Sequence, residues 1–309
     1  MTISIVTPTF NAGTTIGEAL QSVGSLDHVT EHLLVDAAST DNTLEVARNF
    51  PRVRILSEPD KGIYDGMNKG AGLACGDWLL FLQGDDWLPE GTLEAYRSAI
   101  KRHPEAEMFC GDCEAVRELK EGWSPVWSVT DPGLKKLTVR NIALGEPMIN
   151  ARLIRRDIFW KLGGFSLAYP LASDRDFLLR AAERGIHQVE IDTFTYRYRW
   201  HERSSTMTEG NAMTAQLSAE NFAVVRSHLL DAEAVGDARK ALLSWHSRIT
   251  VQSAMNSMES LKAEFFSVCL DGIRHDPLWL GKFLFEFMRS IPGFVARGFK
   301  TRSQVMKRR

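Results

Sequence analysis

An α/β fold built on a mostly parallel sheet is predicted by three features of this 309-residue chain. Short β-branched or apolar runs alternate with helix-period segments through its N-terminal third. The connections between them are short, as right-handed crossovers require. Most of the runs end on turn formers or acids, the side on which such sheets bind ligands. Composition agrees with a globular chain, at 44% apolar and 25% charged. The length suffices for a sizeable core. Lys plus Arg number 37 against 39 Asp plus Glu, a net charge of -2. That balance does not select a polyanion, so no nucleic-acid partner is expected. No run of about 18 apolar residues offers a membrane span. Four Cys and no leader peptide predict a reducing, cytoplasmic setting.

The elements follow in order. Ile3-Ser4-Ile5-Val6-Thr7 reads as a strand stopped by Pro8. Asn11 to Gly24 carries Ile16, Leu20 and Val23 near helical spacing. His32-Leu33-Leu34-Val35 is a second strand ending at Asp36. Asp41 or Asn42 caps a helix through Arg48. Val53 to Leu56 is a third strand, Gly62 to Leu73 a helix, and Trp78 to Leu82 a fourth strand. Pro89 suits the first turn of a helix through about Lys101, and Met108-Phe109-Cys110 offers a fifth strand. Residues 112–205 read as less regular, and the chain from about 210 reads as helices.

The strand stops are Thr7-Pro8-Thr9, Asp36, Glu58-Pro59-Asp60 and Gly84-Asp85-Asp86, and three of the four carry carboxylates. Carboxylates converging on one crevice repel unless a cation joins them. Mg or Mn prefers such oxygens and keeps places open for phosphate. The plainer alternative is a solvated turn or a helix cap.

Four motifs then occur in order. They are Thr7-Pro8-Thr9-Phe10-Asn11, Val35-Asp36-Ala37-Ala38-Ser39-Thr40-Asp41-Asn42-Thr43, Asp60-Lys61-Gly62-Ile63-Tyr64-Asp65-Gly66-Met67-Asn68-Lys69-Gly70, and Gly76-Asp77-Trp78-Leu79-Leu80-Phe81-Leu82-Gln83-Gly84-Asp85-Asp86. Together they resemble glycosyltransferase family 2, of bacterial surface-polysaccharide type. The resemblance implies a GT-A domain, a Rossmann-like mixed sheet, over 1–205, followed by a helical extension over 206–309. It implies inverting transfer from a nucleoside-diphosphate sugar, UDP favoured, to the hydroxyl of a sugar or lipid-linked acceptor. Thr7, Pro8 and Thr9 would line the nucleotide crevice, and Asp36 would contact the base. Asp65 and Lys69 would lie near the nucleotide or donor sugar. Asp85 and Asp86 would face the ribose, a Mn or Mg ion and the diphosphate. Many relatives read Asp-x-Asp-Asp where this chain has Gln83-Gly84-Asp85-Asp86, which leaves open which Asp holds the ion. Relatives also carry Gly or Asn-Gly where this chain has Ala37-Ala38.

Asp174 is the candidate base. It follows Gly163-Gly164-Phe165 in Ser173-Asp174-Arg175-Asp176-Phe177, where relatives carry an acidic pair. A carboxylate in a closed crevice can take the acceptor's proton. The competing reading makes Asp174 a helix N-cap. His201 sits where relatives place a residue against metal or diphosphate, or else is a surface histidine. Trp200 stacks on a sugar or belongs to the core.

Other patterns carry less. Cys110-Gly111-Asp112-Cys113 lacks a second pair, so zinc or redox use is not expected. Gly70 to Gly76 misses the dinucleotide glycine spacing and precedes a strand. From 282 onward eight residues are basic and one acidic, among Phe283, Phe285, Phe287, Phe294 and Phe299. Segment 278–309 therefore suits an anionic membrane interface, or packs on the protein; the family resemblance implies a peripheral place on the inner face of the cell membrane. A non-catalytic nucleotide-sugar-binding or scaffold protein on the same fold is the alternative function. Nucleotidyl transfer would want a basic, Gly-rich loop that Thr7 to Asn11 does not supply.

Overall fold

The computed structural model describes residues 2–24, 31–145, 148–200, 212–230, 235–259 and 264–290. The first stretch alternates as expected: β1 (Ile3–Thr9), α1 (Ile16–Ser22), β2 (Glu31–Asp36), α2 (Thr43–Ala47), β3 (Val53–Ser57), α3 (Ile63–Leu73), β4 (Trp78–Phe81) and α4 (Thr92–Arg102). Then come β5 (Met108–Leu119), β6 (Gly122–Val129), α5 (Pro132–Lys135), α6 (Val139–Leu144), β7 (Arg152–Arg155), α7 (Arg156–Lys161), α8 (Ser173–Glu183) and β8 (Gln188–Arg199). The described chain closes with α9 (Ala212–Leu230), α10 (Gly236–Glu259), α11 (Glu264–His275) and α12 (Trp279–Ser290).

One eight-stranded sheet runs β3-β2-β1-β4-β7-β5-β6, with β8 also paired to β5. β1 pairs in parallel with β2 and β4, and β2 with β3. β7 runs antiparallel between β4 and β5. The sheet is therefore mixed, with a parallel half that carries the sequence motifs. Ile3, Ile5, Leu34, Leu80 and Phe109 bury one face of it with Ile16, Leu20 and Tyr96 from the helices.

Pro8 does not stop β1, which continues to Thr9. Pairing with β4 ends at Val6↔Phe81, while pairing with β2 continues to Thr9↔Asp36. The Thr9 carbonyl accepts from Ala37 on the β2 side. The Pro8 nitrogen thus points where β4 has already left, and no ladder bond is lost.

The stretch 112–205 is more regular than its sequence suggests. β5 is 12 residues long, and its outer half pairs with β6 and β8. Its exposed end carries Arg117 and Glu118, which hide the strand period.

α3 lies directly on β1 at Gly70. A Cβ there would stand 2.3 Å from Val6 Cγ1 and 3.1 Å from Val35 Cγ2. This close packing, and not phosphate binding, accounts for that glycine.

The chain divides into two compact units, Met1–Leu242 and Leu243–Arg309. α9 accordingly falls with the sheet, beyond the boundary expected at 205. In the second unit Val251, Ala254, Trp279 and Phe283 form a small core. Trp279 stacks on Phe283 at 5.3 Å and donates Nε1–H to Thr250 Oγ1. Leu278, Leu280, Leu284 and Phe285 on and beside α12 are exposed. Among the described residues no helix is long and apolar enough to cross a membrane.

Gly70→Ala is expected to destabilise the chain by about 1–3 kcal/mol, since α3 must lift from β1 to admit the methyl group. Chemical denaturation measures this, and an unchanged midpoint would show that α3 is not held at Val6.

Candidate active site

Register brings Thr9, Asp36 and Ser57 side by side across the ends of β1, β2 and β3. The buried Asp36 carboxylate accepts from Ser39 N–H at 3.0 Å, Ser39 Oγ at 2.5 Å and Ser57 Oγ at 2.7 Å. The loops beyond the strands are stitched together. Asn11 N–H donates to Ser39 Oγ, and Asn11 Oδ1 accepts from Thr40 N–H. Asp41 accepts from Gly13 N–H, Thr43 N–H and Thr43 Oγ1. Two of the sequence motifs are thus one mutual loop lock. Ala38 keeps a left-handed backbone there, at φ 57°, which costs a non-glycine residue about 1–2 kcal/mol.

Thr7 falls below this edge. It is buried, and its Oγ1 lies 2.8 Å from His32 Nε2, whose imidazole is held neutral by burial with a pKa of about 4. Thr9 does reach the edge. Its Oγ1 is buried with no hydrogen-bond partner among the described residues. Directly opposite, a Cβ on Gly84 would stand 2.6 Å from it. The turn after β4 therefore approaches Thr9 as only a glycine permits, and Thr15 Oγ1 donates to the Gly84 carbonyl.

The two adjacent aspartates of that turn differ. Asp86 points into the wall, 3% exposed. Its Oδ2 accepts from Tyr196 OH at 2.7 Å and its Oδ1 from Arg199 N–H at 2.8 Å. Burial, with the Asp85 charge adding, pushes its carboxyl well above the usual range. Asp85 stays partly exposed, and its carbonyl accepts from Arg199 Nε. The Arg199 guanidinium lies 5.0 Å from the Trp87 ring and 4.7 Å from Trp123. The expected convergence of carboxylates is therefore not preformed. Asp36 and Asp86 give their oxygens to protein donors, and Asp85 is the more exposed of the two aspartates in the turn. One such carboxylate fits Mg or Mn, which commonly bind through one or two carboxylates, substrate phosphate and water. His201 lies outside the described residues.

α3 borders the crevice on the other side. Asp65 accepts from Lys61 N–H, and Lys69 Nζ pairs with Glu58 at 2.8 Å and Asp65 at 3.8 Å. Lys69 also donates to the Pro59 carbonyl. Tyr64, on the same helix, lies near Asp174 and donates its hydroxyl to the Leu171 carbonyl at 3.5 Å, just ahead of α8. Asp174 lies in the first turn of α8, where helical N–H groups favour an acid. It is not the N-cap, which is Ala172. Loss of solvent lifts the Asp174 carboxyl to about 6, against the pull of Arg175 and Tyr64. Burial pushes the Tyr198 hydroxyl well above its ordinary value, with Cys113, Asp86 and Asp174 nearby adding to the rise.

Residues that sequence reasoning missed hold α8 in place. Asn68 clamps Phe165 through both its main-chain N–H and carbonyl. Glu220 of α9 accepts from Leu171 and Ala172 N–H, just ahead of α8. His228 of α9 sits between Asp176 and Glu183 of α8. Burial opposes its charge, but those hydrogen bonds outweigh it and raise the pKa to about 9. The sequence offered one signal for this clamp, the acid Asp176 set two places after Asp174. Cys110 and Cys113 lie buried in β5 with thiol pKa values raised by burial, Cys113 to about 12, so neither is a ready nucleophile.

A mixed sheet with a parallel half and acids at its strand ends is the architecture of a GT-A fold. The chain belongs to glycosyl transferase family 2, whose family model matches residues 4–163, and it is a glycosyltransferase. It is 34% identical over 184 residues to a PGL/p-HBAD biosynthesis glycosyltransferase of Mycobacterium bovis, covering 57% of this chain and 68% of that protein. An uncharacterized glycosyltransferase of Haemophilus influenzae is 30% identical over 185 residues, covering 58% of this chain and 61% of that one. Among solved structures, S. aureus TarS 1-349 in complex with UDP-GlcNAc has a similar fold, with a TM-score of 0.64 and 19% identity. That likeness covers 92% of this chain and 81% of TarS 1-349. The mannosyltransferase PcManGT from Pyrobaculum calidifontis, in complex with GDP-Man and Mn2+, aligns at a TM-score of 0.52 with 15% identity, over 92% of this chain and 87% of that one.

The His228 clamp gives a signed pH effect. A pKa raised on folding contributes stability that is complete below about 6.5 and lost as pH rises through about 9. Wild type should lose up to about 3 kcal/mol more than His228→Gln across that window, read by denaturant unfolding. Parallel curves for the two proteins would refute the clamp.

Proposed function

We propose that this chain transfers a sugar from a UDP-sugar to a hydroxyl acceptor by single displacement with inversion, with Asp174 as base. The carrying observation is the Asp174 carboxyl, lifted by burial to about 6, on a helix packed through Phe177, Phe165 and Tyr64 against the helix that also bears Asp65 and Lys69. Such a group is ionised near neutral pH yet basic enough to accept a proton. In the step, the acceptor oxygen attacks the anomeric carbon, its proton passes to Asp174, and the bond to the diphosphate breaks on the opposite face.

The crevice at Pro8, Thr9 and Asp36 suits the nucleoside. Thr9 Oγ1 supplies an unused buried donor, and Phe10 exposes 61% of its surface at the rim. Asp36 would act there mainly by fixing Ser39 and Ser57. Thr7 would act from beneath, through β1. Asp65 and Lys69 border the donor side. Asp85 would hold Mn or Mg with His201 as a second candidate, while Asp86 fixes the turn. A bound divalent ion would neutralise charge on the departing diphosphate. The UDP-GlcNAc held by TarS and the Mn2+ held by PcManGT support this reading.

A lipid-linked acceptor, in polysaccharide assembly at the inner face of the cell membrane, is the proposed setting. The exposed Leu278, Leu280, Leu284 and Phe285 support it, with the eight basic residues that follow Gly281. Apolar side chains and basic charge together bind anionic bilayers.

Asp174→Asn should lower transfer by about 10²–10⁴-fold while UDP binding is retained. In wild type kcat/KM should fall about tenfold per pH unit below about 6, where the carboxyl becomes protonated. Nucleoside diphosphate release from a panel of nucleotide sugars measures both, and an active Asp174→Asn removes the base. Paired Leu284→Glu and Phe285→Glu should release the chain from phosphatidylglycerol vesicles in flotation, with secondary structure intact by circular dichroism. Unchanged flotation would sink the membrane contact.

A further inference from the structure

The helical unit holds a cluster that sugar transfer does not use. His246 on α10 is fully buried, and Asp271 and His275 lie one turn apart on α11. An i, i+4 pair shares one helix face, and here that face meets His246. His246 Nε2 stands 2.8 Å from Asp271 Oδ2. His275 Nδ1 stands 3.8 Å from Asp271 Oδ1, and the two imidazole rings are 4.6 Å apart. One ligand atom from each residue lies within 4.8 Å of the other two. We propose that His246, Asp271 and His275 form a transition-metal site of the zinc class that pins α10 to α11.

The geometry and the donor set both favour this. Zinc–ligand bonds of about 2.0–2.1 Å in a tetrahedron separate ligand atoms by about 3.3 Å. His246 Nε2 stands 2.8 Å from Asp271 Oδ2 and His275 Nδ1 3.8 Å from Asp271 Oδ1; His275 Nδ1 also lies 2.9 Å from the Asp271 carbonyl, a contact the imidazole gives up, by rotating, when it turns to an ion. Two imidazoles and one carboxylate suit zinc and its neighbours, with the fourth place left to water. Mg and Mn prefer all-oxygen sets, so this site and Asp85 select different ions. On binding, the nitrogen and oxygen lone pairs turn to the ion, and the proton that His246 shares with Asp271 passes to solvent. The surroundings are ordered enough to hold the ligands. Thr250 Oγ1 donates to the His246 carbonyl and accepts from Trp279 Nε1 at 2.7 Å. Trp279 is itself fully buried.

The test uses the full chain, purified without a histidine tag and carrying Asp85→Asn to remove the oxygen-ligand candidate. After chelator treatment it is titrated with Co2+ and then Zn2+. One Co2+ per chain should bind with visible d–d bands of low coordination number, Zn2+ should displace it, and the thermal midpoint should rise. His275→Ala should weaken binding by at least about tenfold. His246→Gln, with its helix content checked by circular dichroism, should do the same. A Co2+ titration without d–d bands in the Asp85→Asn chain, or unchanged affinity in folded His275→Ala, would overturn the site.

Discussion

Contact among five aromatic rings holds α8, the helix bearing Asp174, to α3 and β4. Phe165 packs on Tyr64, Phe81, Phe159 and Phe177 with centroids 5.2, 5.3, 5.2 and 5.2 Å away. These rings come from α3, β4, α7 and α8 and from the turn after α7. Each such pair contributes about 0.5–1.5 kcal/mol beyond simple burial. The cluster therefore makes one rigid body of the helix bearing Tyr64, the strand that ends at the Gln83–Asp86 turn and the helix bearing Asp174. The displacement proposed above would draw on that packing, because acceptor, anomeric carbon and leaving group must line up before reaction. Asn68 and Glu220 then finish locally what the rings begin, by fixing the backbone on both sides of the 165–172 loop.

Motif residues that look catalytic in one dimension divide here into those that hold loops and those that face outward. Asn11, Ser39, Asp41 and Thr43 spend their side chains on one another. The reason is physical: two loops at adjacent strand ends have main-chain N–H groups that no sheet can satisfy, and short polar side chains supply the acceptors. The left-handed Ala38 belongs to the same lock. Its strain is carried by the hydrogen bonds around it.

Legibility followed side-chain patterning. β1, β2, β3 and β4 are short apolar or β-branched runs within the buried parallel half, so their ends could be read to within a residue or two. β8 could not, because Glu190, Asp192, Arg197 and Arg199 interrupt any simple alternation. That strand supplies Tyr196 and the Arg199 main chain to Asp86, from 110 and 113 residues away. Nothing local distinguishes Asp85 from Asp86, and only the strand that arrives beside one of them sets their roles. α9 was hidden for the same reason. Its Glu220 and His228 read as ordinary surface polar residues until α8 places Asp176 and Glu183 against them.

The replacement of the usual first acid by Gln83 fits this division of labour. In the turn, Gln83 donates its N–H to Tyr196 OH, the same hydroxyl that donates to Asp86. A third carboxylate here would add like charge beside Asp85 and a buried Asp86 whose ionisation burial already opposes. An amide removes that repulsion and leaves the main-chain contact unchanged. On the proposed reading, Asp85 would hold a divalent ion at this turn and the diphosphate would bring further oxygens to it, while Asp86, fixed by Tyr196 and Arg199, would keep the turn in place.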